Sequence, residues 1–131
     1  MSATNELRKL IKSELSSVSA GFGIKEIYYQ IADNEALYPH IVFTLESAIS
    51  EPVFLDRYNY RLIVDIYFKE TGTQDIEDLC DLIQNEFIWK NSPTAEILPT
   101  FYFERRLTVI EASKLINHRQ LRFNIQMYER T

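Results

Sequence analysis

At 131 residues the chain suits one domain spanning 1–131 rather than two, and a composition of 46% hydrophobic and 25% charged residues is that of an ordinary core-forming protein. Three glycines and four prolines exclude a collagenous or low-complexity chain, while a single cysteine excludes an intramolecular disulfide and a cysteine-rich zinc module. The net charge of −5 argues against a dedicated nucleic-acid binder. The longest apolar runs are three residues, such as Ile41-Val42-Phe43 and Leu62-Ile63-Val64, far below the roughly 20 residues a spanning helix needs. The N-terminus opens a charged amphipathic stretch with Arg8, Lys9 and Lys12, which predicts a chain that is intracellular when made.

Residues 5–19 read as the first helix, with Leu7, Leu10, Ile11, Leu15 and Val18 on one apolar stripe and Gly21 placed to end it. Glu26 to Ile31 reads as a strand, 33–35 as a polar turn, and Tyr38-Pro39 as the extended entry to a second strand, His40 to Glu46. Ser47 to Asp56 is expected to be a hairpin connection or a mobile loop. Arg57 to Lys69 alternates most clearly: Tyr58, Tyr60, Leu62, Val64, Ile66 and Phe68 share one face, against Arg57, Asn59, Arg61, Asp65 and Lys69 on the other. Thr73 to Phe87 predicts a second helix with Ile76, Leu79, Cys80, Ile83 and Phe87 on its stripe and Asp75, Glu77 and Asp78 in its first turns, where the dipole favours anions. Residues 90–100 read as irregular, Phe101 to Glu111 as a fourth strand, 111–117 as a turn, and His118 to Tyr128 as a fifth strand. The order α-β-β-β-α-β-β predicts an α+β fold, a mainly antiparallel sheet of about five strands packed by two helices.

Charge is unevenly distributed. Residues 1–32 carry a net +1, residues 33–104 a net −10 and residues 105–131 a net +4. Two readings remain open: unlike surfaces meeting head to tail between copies, or charges that simply solvate the surface.

Catalytic and cofactor signatures are sparse. Gly21 and Gly23 lack the third glycine and preceding strand of a dinucleotide loop, and no phosphate loop or His-Glu-x-x-His pair occurs. Cys80 lies on an apolar helix stripe, as a buried structural cysteine does; His118 reads as an exposed strand-entry residue and His40 as a satisfied edge position. Two histidines and one cysteine are too few for a zinc site. Asp78 and Asp81 share a helix face, which a solvated surface explains more simply than a cation site. Asp65 lies mid-strand with Arg61 four residues earlier on the same face, predicting a cross-strand or intersubunit ion pair. The tyrosines and phenylalanines, eight of each, suit sheet core and protein interface better than base stacking.

The order of these segments carries a resemblance. Pro39-His40-Ile41-Val42-Phe43-Thr44-Leu45, the strand Tyr60 to Tyr67, the acidic helix Asp75 to Ile83 and the closing strand led by Asn117-His118-Arg119-Gln120-Leu121-Arg122-Phe123 together resemble the tail-terminator or tail-completion proteins of long-tailed bacteriophages. The resemblance implies a non-enzymatic virion protein without cofactor, a small α+β subunit that forms a ring, usually of six. The ring caps the tail tube and offers a surface to the head connector, so the implied partners are copies of itself, the tail tube protein and a head-completion protein, with neither membrane nor specific nucleic acid. The implied location is the head-proximal end of the tail, after assembly in the host cytoplasm. A head-completion or neck connector is the neighbouring expectation, and a small ligand-binding α+β domain a more distant one. Arg57, Arg61, Asp65, Asp78, Asp81, Arg119 and Arg122 are the candidate interface residues, the four arginines facing acidic partner surfaces.

Overall fold

Two helices and five strands occur in the predicted order in a computed structural model, which describes residues 3–47, 57–88, 97–113 and 115–129. Helix α1 (Ala3–Val18) presents Leu7, Ile11 and Leu15, one turn apart and fully buried, with Leu10 and Val18 packed beside them. A short 3-10 turn (Ala20–Phe22) follows and ends at Gly23, whose φ of 69° is a left-handed value that glycine adopts without strain. Helix α2 (Thr73–Ile88) buries Ile76, Leu79, Cys80 and Ile83.

The strands are β1 (Ile27–Tyr29), β2 (His40–Ser47), β3 (Arg57–Lys69), β4 (Ile97–Val109) and β5 (Ile116–Glu129). They form one sheet in the order β1-β2-β3-β5-β4, with β1 parallel to β2 and every other pairing antiparallel. Alternation sorts the side chains into two faces. Tyr60, Leu62, Val64, Ile66 and Phe68 of β3 lie beside Ile41 and Phe43 of β2, Leu121, Phe123, Ile125 and Met127 of β5, and Phe101 of β4, all buried in one continuous core under both helices. No described helix or strand covers the opposite face. The fold is therefore α+β, in two layers, with helices on one side of a mostly antiparallel sheet.

Several boundaries differ from the sequence reading. β1 spans three residues rather than six, because Gln30 turns the chain away at a φ of 70°. Residues 97–100 extend β4 instead of remaining irregular, since each has a partner on β5. Helix α1 begins at Ala3, and β5 at Ile116. The expected connection over Ser47–Asp56 falls, after Ser47, outside the described residues. Before α2 the chain makes a 3-10 turn (Glu70–Gly72), in which a Cβ on Gly72 would lie 2.7 Å from the Phe68 ring. No helix among the described residues is long and apolar enough to cross a membrane.

Candidate functional site on the open sheet face

The uncovered face is organised by register. His40 on β2, Tyr67 on β3 and His118 on β5 are direct cross-strand partners. Their rings stack in a row: His40 and Tyr67 have centroids 4.9 Å apart at 18°, and Tyr67 and His118 4.1 Å apart at 24°. Tyr28 meets His40 edge-on, and Tyr38 leans over it from the β1–β2 connection. Mutual shielding leaves His40 only 4% exposed and His118 6%, although no described helix lies above them.

His118 anchors a polar chain. Nδ1 lies 2.6 Å from Glu111 Oε1 and Nε2 lies 2.7 Å from Asp65 Oδ1, so the imidazolium donates to a carboxylate on each side. Gln120 Nε2 donates to the same Asp65 oxygen at 2.9 Å, and Arg122 Nε donates to Gln120 Oε1 at 2.8 Å. Burial disfavours the charge on His118, but the hydrogen bonds and charges of Asp65 and Glu111 outweigh it and raise the pKa above the ordinary value. His40 shifts the other way: burial lowers its pKa, the bond from Nδ1 to the Leu37 carbonyl at 3.2 Å opposes this in part, and the nearby His118 lowers it further. The Tyr67 hydroxyl is pushed up to about 12 by burial and by the charges of Asp65 and Glu111.

The expected interface residues separate into three places. On the open face lie Asp65 and Arg122, joined through Gln120, and Arg61, whose Nε is 3.6 Å from Glu104. The cross-strand ion pair expected of Asp65 is made with His118 of β5, and Gln120 joins it, both brought there by the β3–β5 register. Between helix and sheet, Arg119 donates to Glu77, and Arg106 bonds both Glu77 and, at 2.6 Å, Asp81. Arg119 and Asp81 consequently meet charges of their own chain, and the carboxylates of Glu77 and Asp81 are tied to β4 and β5 rather than merely solvated. Burial pushes the Glu77 pKa up, yet the two guanidinium groups bring it below the usual carboxylate range. On the outer face of α2, Asp78 accepts a bond from Gln74 at 2.9 Å. The Arg57 backbone pairs with Tyr128 at the start of β3, and its side chain lies outside the described residues.

His118 is a correction in its own right, buried between two carboxylates where an exposed residue was expected. Cys80 takes the place read for it; His40 is satisfied through Leu37 as expected, but it is buried on an inner strand rather than at an edge. Burial pushes the Cys80 thiol up to about 11, which makes it a poor nucleophile. Glu111, Gln120, Arg105 and Arg106 were not among the candidate site residues, and Glu77 was read only as an acid favoured by the helix dipole. Glu111 lies in a turn, and the others acquire their roles only through register. Among the described residues no group of three His, Cys, Asp or Glu side chains is placed to hold a metal ion.

A β-bulge marks the outer strand. The β4–β5 register slips between Phe103 and Arg105, so that Phe103 faces Phe123 and Arg105 faces Arg122. Regular pairing would have set Glu104 opposite Arg122. Comparison with known proteins adds no further constraint: no protein-family model matches the chain, and no curated protein is similar to it in sequence.

Proposed function

We propose that the chain is a structural subunit that assembles with copies of itself into a ring and caps a tail tube at its head-proximal end, as the tail-terminator proteins it resembles do. The observation that carries this reading is the two-layer architecture. One side of the subunit is helical, on the other no described helix or strand covers the sheet, and a ring requires two unlike surfaces on each subunit that meet head to tail. A non-enzymatic role accords with the chemistry at hand. Both ring nitrogens of His118 are engaged by carboxylates, and Cys80 is sealed in the core. The partners on this reading are the tail tube protein below and a head-completion protein above, in the virion.

Light scattering coupled to size exclusion, over a concentration series with and without tail tube protein, tests the proposal. A closed ring, formed alone or on the tube, is the expected result. A 15.5 kDa monomer that ignores the tube would overturn it.

A further inference from the structure

The bulge in β4 creates an arrangement that folding alone does not explain. Arg105 and Arg122 are direct cross-strand neighbours on the open face, and like charges placed directly opposite destabilise a sheet. The bulge keeps Glu104 on the same face, but its carboxylate lies 3.6 Å from Arg61 and makes no ion pair with Arg122. Arg105 is exposed and has no hydrogen bond or ion pair among the described residues. Arg122 is held through Nε by Gln120, itself held by Asp65, which leaves its two terminal nitrogens directed to no partner among those residues. Two guanidinium groups side by side, one of them braced from behind, make a receptor for a carboxylate, which the planar fork of arginine binds through paired hydrogen bonds.

The same chain presents the complementary group. Of the acids on α2, Glu77 and Asp81 are bound by Arg106 and Arg119. Asp75 and Asp78 remain exposed, three residues apart on one helix face, and Asp78 accepts only the bond from Gln74. Leu82, 43% exposed, lies one turn beyond Asp78 and supplies an apolar contact beside the charges. These acids are on the helical side of the sandwich and the arginines on the sheet side, the placement a head-to-tail contact requires. The overall charge of −5 opposes a polyphosphate partner.

We infer that Arg105 and Arg122 form the receiving half of a contact between copies of this chain, into which Asp75 and Asp78 of the next copy dock. The inference rests on the ring reading above and names the surfaces that would close it.

Sedimentation velocity over a concentration series at low ionic strength is the test, with the wild type, Arg105→Glu, Asp78→Arg and the double variant. Arg105→Glu restores an opposite-charge pair with Arg122, so its melting temperature should equal or exceed that of the wild type. The concentration needed for assembly should nevertheless rise about tenfold. Asp78→Arg should weaken assembly similarly, and combining the two should recover it. Assembly of Arg105→Glu at wild-type concentrations overturns the inference and leaves the ring reading standing. A wild-type chain that stays monomeric throughout, with tube protein as well as without, removes both. Binding of duplex DNA that Arg105→Glu abolishes while assembly is unchanged would place phosphate at this site, and would equally overturn it.

Discussion

The imidazole of His118 reaches Asp65 diagonally across the β3–β5 ladder, 2.7 Å from Nε2 to Oδ1, while the residue directly opposite Asp65 is Gln120. One carboxylate oxygen thus ties two successive outward-facing residues of β5 to the central strand, and Glu111 closes the arrangement from the β4–β5 turn.

This geometry gives stability an alkaline limit. The folded His118 pKa lies above its unfolded value of 6.5, so its contribution is fully present below pH 6.5 and is lost as pH rises through the folded value. His40, with its pKa lowered from 6.5, has the opposite sign: its contribution is present above pH 6.5 and lost as pH falls through the folded value. Melting temperature measured from pH 5 to 9 should therefore fall on the alkaline side in the wild type and fall less in His118→Gln. An alkaline limb as steep in the variant as in the wild type would remove the assignment.

Glu77 accepts from Arg106 and Arg119 where α2 crosses β4 and β5. Replacing it with Gln takes from Arg119 the counter-charge it has among the described residues and leaves Arg106 with Asp81 alone, and should cost about 1–3 kcal/mol in urea unfolding. Asp78→Asn, at an exposed position with one side-chain bond, should stay within about 0.5 kcal/mol of the wild type. Equal effects of the two substitutions would contradict the distinction drawn between the inner and outer faces of α2.

Gly72 and Gly21 should respond differently to alanine. A Cβ on Gly72 meets the Phe68 ring at 2.7 Å, and that ring belongs to the core, so Gly72→Ala should destabilise by about 1–3 kcal/mol. A Cβ on Gly21 meets nothing within 4 Å, and Gly21→Ala should be neutral or slightly stabilising. Thermal melts of the two variants decide this directly.

Cys80 is fully buried and its thiol is pushed up to about 11. Thiol labelling at pH 8 should be slow in the native protein and should accelerate with denaturant in step with global unfolding. Rapid labelling without denaturant would show that α2 opens on its own.

The fold class was legible because it rests on local periodicity. Leu121, Phe123, Ile125 and Met127 alternate along β5, and Leu7, Ile11 and Leu15 recur every turn along α1, whatever their neighbours are. The candidate site was not legible, because each of its contacts depends on pairing distant segments. Residues 65 and 118 meet only because β5 pairs with β3. The alternation around Phe103-Glu104-Arg105 reads as a regular strand; the slip that brings Arg105 onto the open face beside Glu104 involves the register with β5, about which that local stretch carries no information. β1 was overextended for a related reason: Tyr28, Tyr29 and Ile31 all favour a strand, but the positive φ at Gln30 ends it.

The strand order has a further consequence, for how the sheet is built. β5 lies between β3 and β4, both earlier in the chain, and is the only strand partner of β4 among the described residues. An intermediate that lacks β5 has a gap at the centre of its sheet, with the facing edges of β3 and β4 both open. Joining them demands long-range pairing of residues 57–69 with 116–129, the kind of contact that makes folding slow. That gap is also where a foreign strand could enter before β5 does, so aggregation during refolding should be governed by the rate at which β5 inserts rather than by the final stability.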